Sequence, residues 1–560
     1  MLLFNMNIKL YTSLSLIIFF MMLNTPLHAQ STYVPLGHRV YDYLERMETK
    51  QILRNALIAT KPLTRADVAA CLNQVVAAQQ TGNCLNKVEA EQLAYLCIEF
   101  RDELNLPPDQ ETRIDGLMDK LNMLPDFIYS NGINLYSIDE EQFRVYIDPV
   151  LRHRRYYNST DSLKETEQVH RFSNGGRMYG EIANRLGFFV DARDNKEWGT
   201  RTYAIGNYTL PGRGFVRATS PDFIYYDETE AYLKLGLGFV DLVYGKFEND
   251  WGPGHSGSLM LSDAATTYDQ FKMDVRYKNI RFTSLYAYLI DYREFRGDSL
   301  QQRKYMAAHR LEIAPWRWLK LGLSESVIFR GRSFEPSYLN PLMFFRSAEH
   351  YLGSPDNMMM GMDLVLLPVK NVKCYGELLI DDITTSKLGS GWYGNKLGFL
   401  GGLYITAPFN MSNVDLRLEY VRLKPYLYSH ENNIAYTHYA TSMGHYIGPN
   451  SDLLALTMDY QPAMRWNIRF SYHHQRHGAN SADVNYGGDV HRHFGFGDDE
   501  TVDFLGGLRE TKNTVGIDLS WEILMHMFLR AGFAYGTGEY ETLQERSVSR
   551  TAFYVSLGMN

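Results

Sequence analysis

The stretch 271–290, FKMDVRYKNIRFTSLYAYLI, constrains the fold of this chain more than any other. Its first half alternates apolar residues with charged ones, and its second half places Arg281 and Thr283 opposite a face rich in apolar and aromatic residues. Successive side chains of an extended backbone point to opposite sides, so each half predicts a strand with one apolar and one polar face. Lys278-Asn279 is typical of a tight turn, because Asn tolerates a positive φ. The stretch therefore predicts an antiparallel hairpin.

The same alternation recurs along most of the chain. It is unbroken at 414–420, 465–472 and 515–522, and it returns at 143–148 and near the C-terminus at 553–557. Several apolar faces finish on aromatic residues, namely Tyr277, Tyr420, Tyr460, Tyr472, Trp521 and Tyr535. A membrane barrel needs aromatic side chains where hydrocarbon meets lipid headgroups. The pattern favours a transmembrane antiparallel β-barrel; the alternative is a large soluble β protein with tyrosines in its core.

Composition excludes two classes of protein. The mean hydropathy of −0.30 is too low for a multi-helix membrane protein. It is compatible with a barrel, which carries its apolar surface in every second residue. The formal net charge of −8 argues against nucleic acid as the main partner.

Residues 1–29 resemble a secretory signal peptide. Lys9 precedes an apolar run at 10–23, and Leu27-His28-Ala29 is an acceptable small-residue cleavage site. The alternative, an N-terminal membrane anchor, is disfavoured because the run is short for a helical span. Export combined with barrel strands predicts a location in a bacterial outer membrane.

Residues 30–130 differ from the rest because their apolar residues recur at helical spacing. The first helix is predicted around 40–47, and the third runs from about Lys87 to Leu104. The second opens at Thr64, with Asp67 three residues on as in a capping box. We predict a small periplasmic helical bundle at 30–130, followed by the barrel at 131–560.

Four cysteines follow the signal peptide. Cys71, Cys84 and Cys97 lie in the helical region, and Cys374 lies in a predicted strand. Two of the first three could pair in an oxidising compartment, or Cys71 and Cys97 could be buried thiols. The sequence leaves both options open.

Turn signals from residue 132 onward suggest roughly sixteen to eighteen strands, an even number being typical of bacterial barrels. Gly238 and Lys278-Asn279 mark tight turns, whereas 332–358, 426–451 and 473–503 are predicted long loops. The charges on the inward faces carry both signs, as at 272–276 and 415–419. We hypothesise that they pair across strands and close the lumen.

Two segments have unusual composition. Residues 251–263 combine glycines with Trp251 and His255, which could contact a sugar or simply form a turn packed at the rim. Residues 471–503 hold five histidines and several acids, but their spacing matches no metal-ligand motif and a solvated loop is favoured. The histidines are His473, His474, His477, His491 and His493.

Carboxylates suggest a glycosidase only weakly. Glu325, Glu377, Asp381 and Asp382 could form the acid pair that flanks a sugar bond, and a barrel interior with paired acids explains them as well. A GxSxG nucleophile elbow is absent from the sequence. We therefore predict a protein that is not an enzyme, with no catalytic residue, cofactor or metal.

An ordered set of short motifs resembles the capsule-assembly Wzi family of outer-membrane proteins, in its Bacteroidetes-type form. The motifs are YVPL at 33–36, VYDYLER at 40–46, KPLTR at 61–65, WGPG at 251–254, LS at 261–262, YLNPL at 338–342 and YGELLIDD at 375–382. The resemblance spans nearly the whole mature chain. It implies a closed barrel of about eighteen strands with a helical bundle at its periplasmic end. It also implies a protein that attaches or organises capsular polysaccharide on the outer face.

The leading hypothesis is therefore a monomeric, non-enzymatic barrel that binds capsular or other surface polysaccharide and contacts outer-membrane lipid. Tyr and Trp faces stack on sugar rings while their polar atoms bond hydroxyls. The candidate binding residues are Trp251, His255, Trp392, Tyr393, His430, Tyr436 and His445. The alternatives are a porin-like channel for small solutes and a surface glycan hydrolase.

Overall fold

The structure is a computed structural model of the chain. It describes residues 31–82, 84–104, 133–140, 142–160, 166–210, 212–291, 303–353, 355–431, 434–541 and 546–559. The predicted signal peptide at 1–29 lies outside these residues.

Within the described residues, eighteen antiparallel strands close into a barrel in which the last strand pairs with the first. In chain order the strands are β1 Thr60–Lys61, β2 Tyr136–Glu140, β3 Phe143–Thr160, β4 Thr166–Ile182, β5 Leu186–Gly199, β6 Gly206–Leu210, β7 Gly214–Ala218, β8 Phe223–Gly236, β9 Val240–Phe247, β10 Asp250–Trp251, β11 Tyr268–Tyr277, β12 Ile280–Ile290, β13 Arg303–Trp316, β14 Leu319–Arg330, β15 Asn357–Val369, β16 Val372–Asp382, β17 Lys396–Thr406, β18 Val414–Leu423, β19 Thr437–His438, β20 Thr441–Ser442, β21 Ser451–Tyr460, β22 Trp466–Ala479, β23 Leu508–Leu524, β24 Met527–Tyr540 and β25 Arg546–Met559.

Seven of these strands lie outside the closed ring. Strand β2 extends the sheet beside β3, and β6 and β7 form a hairpin between β5 and β8. Two small sheets, β1 with β10 and β19 with β20, complete the set. The predicted transmembrane barrel is confirmed in its closure and in its strand number.

The two ends of the barrel differ in the length of their connections. At one end, here the short-turn end, β11 joins β12 through Lys278-Asn279 and β8 joins β9 around Gly238. The predicted tight turns are confirmed, but the residue with positive φ in the first is Lys278, at 54°, rather than Asn279. The long-loop end carries the connections 331–356, 383–395, 424–450 and 480–507.

The two faces of each strand divide as predicted. On β11, Phe271 and Tyr277 are 42% and 62% exposed on the outside, whereas Lys272 and Asp274 face the lumen and are almost fully buried. Arg281 on the neighbouring strand donates to Asp274 through its Nε at 2.9 Å. The lumen charges thus pair across strands, as hypothesised.

Among the residues that the structure describes before the barrel, three form helices, α1 Val40–Thr49, α2 Arg65–Gly82 and α3 Lys87–Glu99. The predicted capping box is present, because Thr64 N–H donates to Asp67 Oδ2 at 3.0 Å and Asp67 N–H donates to Thr64 Oγ1 at 3.1 Å. The helical core also takes in two side chains from short turns of the barrel, Met464 and Met525. The helices therefore dock at the short-turn end.

In the described part of the loops, four further helical segments are present. They are α4 Pro336–Leu339, α5 Phe345–Tyr351 and two 3-10 turns, Thr385–Lys387 and Pro408–Asn410. Among the described residues, no helix has the length and apolar character needed to cross a membrane.

The structure shows the state of the four cysteines. Cys71, Cys84, Cys97 and Cys374 are all free thiols, so the disulfide that the sequence allowed among the first three does not form.

Strand β22 continues to Ala479, so the predicted loop at 473–503 begins only at 480. The assignment of His473, His474 and His477 to a solvated loop was wrong, because all three extend the alternating pattern of a barrel strand.

Candidate functional site

The lumen is crossed by residues 249–262, here the lumen loop, which connects β9 to β11. Its strand β10 pairs with β1 of the N-terminal region, placing Thr60 opposite Trp251. Gly252 N–H donates to Ala59 O at 2.9 Å, and Trp251 N–H donates to Leu261 O at 2.8 Å. The WGPG motif thus forms one of the contacts between the N-terminal domain and the centre of the barrel.

Two carboxylates on the barrel wall fix the lumen loop. Glu377 on β16 accepts the N–H groups of Gly254 at 2.9 Å and Leu259 at 2.7 Å. Glu419 on β18 accepts the N–H groups of His255 and Ser256, each at 2.9 Å. Buried N–H groups left unpaired would be costly, and these four N–H groups are paired with the two carboxylates. These acids therefore position the loop.

Gly252 is required by the same contact. Its φ is +155°, which side chains rarely adopt, and a Cβ at this position would lie 2.3 Å from Glu377 Oε1. The glycines of the motif thus allow the backbone to approach the carboxylate.

A second layer covers the lumen loop from the long-loop end. Residues 424–450 fold inward, and Tyr428 and Tyr436 each donate a hydroxyl hydrogen bond at 2.7 Å, to Leu259 O and Met260 O. Ser262 N–H donates to Met443 O at 2.8 Å. These contacts bury the lumen loop between the N-terminal domain and an inward-folded outer loop.

Ser256 and His445 meet within this layer but are not arranged as a nucleophile and its base. Their Oγ and Nε2 atoms are 3.0 Å apart. His445 Nδ1 accepts from Ile447 N–H at 3.4 Å, so the ring proton lies on Nε2 and the Ser256 hydroxyl donates to Glu419. Activation of a hydroxyl needs an unprotonated nitrogen facing it. Burial lowers the pKa of His445 to about 3, which keeps this ring neutral.

Helix α1 fills the lumen from the other side. Glu48 accepts from Lys373 Nζ at 2.9 Å and also pairs with Lys320. Arg46 pairs with Asp415 on β18 and donates to Glu89 on α3 at 2.9 Å. Strands β14, β16 and β18 therefore hold α1 through buried ion pairs near their short-turn ends.

A cavity of about 740 Å³ remains beside these layers. Its walls carry charges of both signs, among them Arg152, Arg177, Arg193, Glu228, Glu230 and Arg530. It extends from Trp466 at the short-turn end to Phe215 on strand β7. The filled part of the lumen thus adjoins an open, charged cavity along the wall formed by β3, β4, β5 and β8.

Aromatic side chains form a second feature at the long-loop end. Tyr393 stacks on Phe494 with ring centroids 3.5 Å apart, and it meets Trp392 at 5.2 Å. Two backbone bonds of 2.9 Å, Tyr393 N–H to Glu500 O and Val502 N–H to Gly391 O, join the two loops that carry these rings. Trp392 is half-buried, and Phe496, two residues after Phe494 in the same loop, is fully exposed. We name Trp392, Tyr393, Phe494 and Phe496 the aromatic platform.

The predicted binding residues separate into two groups. Trp251, Tyr436 and His445 are buried inside the lumen layers, and His255 is half-buried beside them. Burial, together with Arg417 and Arg469, holds the pKa of His255 well below its usual range. Trp392, Tyr393 and His430 lie half-buried in loops at the long-loop end. Direct contact with a polysaccharide is therefore a prediction that rests on this second group.

Sequence reasoning missed Phe494 and Phe496. The signal was the run FGFG at 494–497, in which glycines leave two aromatic rings free to stand apart from the backbone. Asp498 closes this turn by accepting from Gly495 N–H and Asn485 Nδ2, each at 2.9 Å. Among the described residues, no group of three or more His, Cys, Asp and Glu is placed to hold a metal ion.

The candidate glycosidase acids do not share a site. Glu377 faces the lumen, whereas Glu325 faces outward, where it pairs with His309 at 3.2 Å. Asp381 accepts Tyr428 N–H at 2.8 Å and so holds the inward-folded loop. Two carboxylates on opposite faces of a barrel wall cannot flank one glycosidic bond.

Comparison with known proteins agrees with this architecture. The chain is similar in fold to Wzi of Escherichia coli, an outer membrane protein involved in group 1 capsule assembly and a carbohydrate binding β-barrel; identity is 14%, coverage is 94% of this chain and 99% of that chain, and the TM-score is 0.55. Acinetobacter baumannii OccAB2 gives 11% identity, 74% and 97% coverage and a TM-score of 0.43. Pseudomonas aeruginosa OccK5 (OpdH) gives 11%, 74% and 98%, and 0.41. None of the curated proteins matches.

The family model for the capsule assembly protein Wzi matches residues 152–552, which is well over half of the chain. The resemblance found in the motifs is thereby confirmed, while its Bacteroidetes-type form stays a prediction. The chain belongs to the Wzi capsule assembly family of outer-membrane β-barrels.

Proposed function

We propose that this barrel binds capsular polysaccharide at its long-loop end and retains it at the cell surface, as a monomer and without catalysing a reaction. The observation that carries the proposal is the aromatic platform, which stands on ordered outer loops above a filled lumen. Exposed rings on a fixed surface offer a sugar chain contact area at little cost in conformational entropy. The family membership supports a role at the capsule.

The chemistry of the platform suits a saccharide. Trp392 presents part of its ring beside Lys387, whose Nζ lies 4.3 Å from the ring centroid, and Phe496 adds a free aromatic face. Aromatic faces stack on the C–H surfaces of sugar rings. Lys387 and His430, which also lie in loops at the long-loop end, supply hydrogen-bonding groups. A lysine ammonium also suits an acidic sugar.

The orientation follows from the loops. Bacterial barrels place short turns in the periplasm and long loops outside. On that rule the helices of 30–130 face the periplasm after removal of a signal peptide at 1–29, and the barrel comprises 131–560. The aromatic platform then faces the capsule.

The cavity beside the lumen layers favours a second candidate function, a narrow path for small solutes. Its walls are charged, as those of a channel would be. A hydrolytic role has less support, because the carboxylates considered for it are engaged by loop N–H groups or lie on opposite faces.

Binding of purified capsular polysaccharide to immobilised barrel tests the proposal. We expect Trp392→Ala and Phe496→Ala each to weaken binding by roughly tenfold, since loss of one stacked ring costs about 1–1.5 kcal/mol. Phe409→Ala is the matched control, because this ring is equally exposed but lies at the short-turn end. Equal binding by all three variants and the parent chain would refute the platform, and release of reducing ends would indicate hydrolysis instead.

A further inference from the structure

On the outer wall of β13 and β14, several outward-facing residues are buried, whereas outward-facing residues of a membrane barrel are usually exposed to lipid. The even-numbered residues of β13 face the lumen, since Arg310 and Glu312 contact Thr60 of the N-terminal region. The odd-numbered residues therefore face outward. Yet Ala307 and His309 on β13 are buried, and so are Val327 and Phe329, the outward residues of β14. Something on the outside of the barrel covers this wall.

The cover is the connection 331–356 with helices α4 and α5, here the outer excursion. Instead of extending away from the barrel, it folds back down the outside. The ring of Phe345 lies 4.1 Å from the ring of His309, and Phe345 N–H donates to Glu325 at 3.0 Å. Tyr338 packs against Phe329 at 5.3 Å. The YLNPL motif at 338–342 thus belongs to an element fastened to the exterior of the wall.

Polar contacts fix the position of the outer excursion. Tyr286 on β12 donates its hydroxyl to Ser333 O at 3.3 Å, and Glu335 N–H donates to the same hydroxyl at 3.3 Å. Tyr338 donates to Asp356 at 2.7 Å. Helix α4 begins at Pro336, with Glu335 accepting from Ser337 N–H as its N-cap. The excursion is therefore a built element rather than a loose loop.

The excursion reaches the level of the lipid-facing band. His309 lies seven positions from Trp316, the exposed aromatic residue at the short-turn end of β13. At about 3.3 Å per residue and a strand tilt of roughly 40°, this places His309 roughly 18 Å above that rim, within an apolar band about 25 Å tall. A His–Glu pair exposed to acyl chains at this depth would be costly. The excursion covers the pair and gives Glu325 a backbone donor.

The outward side of the excursion carries several large exposed apolar side chains, with exposed polar residues at 346, 347 and 350 beside them. Leu342 and Tyr351 are about nine-tenths exposed, and Phe334 and Phe344 are more than half exposed. This surface continues the lipid-facing wall, because the exposed Leu323 lies on β14 only two positions from Glu325, which α5 contacts. Continuity with the lipid-facing wall identifies the occupant of the surface as lipid.

We propose that the outer excursion is embedded in the outer leaflet and that Leu342, Phe344 and Tyr351 contact the acyl chains of its lipids. The excursion thereby widens the barrel on one side and shields the His309–Glu325 pair from hydrocarbon. This inference depends on the outer-membrane location and is independent of the proposed binding of polysaccharide.

Photocrosslinking tests the proposal in the full chain. The photoreactive amino acid p-benzoylphenylalanine is placed at 342 or 344, the protein is reconstituted in vesicles of phosphatidylethanolamine and phosphatidylglycerol, and adducts are identified by mass spectrometry. Position 323 is the lipid-facing reference and position 496, at the tip of an outer loop, is the control away from lipid. All four side chains lie on the surface, so the substitutions leave the core packing intact.

We expect lipid adducts at 342 and 344 at yields similar to 323 and roughly tenfold above 496, because only lipid-facing positions contact acyl chains. Yields at 342 and 344 no higher than at 496 would overturn the proposal. Crosslinks from these positions to a second copy of the chain would overturn it as well, since they would identify a protein interface.

Discussion

Arg417 of strand β18 holds Glu45 of helix α1 through two parallel hydrogen bonds, from Nη1 at 3.1 Å and from Nη2 at 2.8 Å. Lys373 donates to the same carboxylate at 2.9 Å. Burial raises the pKa of Glu45, but the charges of Arg417 and Lys373 outweigh burial and hold this pKa well below its usual range. Buried pairs are screened little by salt. The N-terminal domain is thus locked into the lumen by largely buried charges.

Removing one acid from this lock tests its strength. Glu48→Ala leaves Lys320 and Lys373 buried with one fewer carboxylate, and breaking a buried pair costs about 3–5 kcal/mol in the free energy of unfolding. Urea unfolding in detergent micelles measures this cost. Glu91→Ala is the control, because Glu91 forms only an exposed pair with Lys87, worth at most about 0.5 kcal/mol. Equal losses in the two variants would contradict the lock.

The contact between Gly252 and Glu377 predicts a second cost. Gly252→Ala forces a Cβ against the carboxylate and strains a backbone with positive φ, so we expect a loss of about 1–3 kcal/mol in the free energy of unfolding. Gly401→Ala is the matched control, because a Cβ there meets open space. Thermal unfolding measures both variants. A Gly252 variant as stable as the Gly401 variant would show that the lumen loop is not held as described.

The buried His445 predicts a dependence on pH. Its pKa of about 3 in the folded protein lies below the value of about 6.5 in an unfolded chain, so the unfolded state binds the proton first. The stability contributed by the neutral ring is fully present above about pH 6.5 and falls by about 1.4 kcal/mol per pH unit below it.

We therefore expect the thermal unfolding midpoint to decline between pH 7 and pH 5, and His445→Gln to decline less. The glutamine amide can still donate to Ser256, so the variant isolates the titration. The same decline in both chains would exclude His445 as the source.

Because the lumen is filled, we expect the barrel to conduct no steady ion current. Helix α1, the lumen loop and residues 424–450 occupy successive levels of the barrel, and the space of about 740 Å³ beside them is lined by charges of both signs, among them the Arg177–Asp191 pair. We expect no steady large openings when the full chain is inserted in planar bilayers, with an open porin as the positive control. Steady large currents would instead support the solute-channel function.

The periodic parts of this fold could be predicted because each strand or helix repeats one pattern of polar and apolar residues along its length. Phe271 is apolar and the adjacent Lys272 is charged, so the sequence of a single strand indicates which of its faces contacts lipid. Thr64 and Asp67 likewise identify the start of a helix from local sequence alone. Strand number and closure then follow from how often the pattern recurs.

The positions of isolated loop residues could not be predicted in this way. Trp251, Tyr436 and His445 have the composition of a binding surface, but their loops fold inward and bury them between layers. A lone aromatic residue carries no period, so nothing local distinguishes a buried ring from an exposed one. The outer excursion was hidden for a related reason, since it covers outward residues such as Ala307 that a strand pattern assigns to lipid.

The most direct test of the account compares cell-bound with shed capsule in a strain that lacks this protein. We expect normal synthesis with polysaccharide released into the medium, restored to the surface by the parent chain but not by a chain carrying both Trp392→Ala and Phe496→Ala. Unchanged retention in the deleted strain would contradict the proposed function.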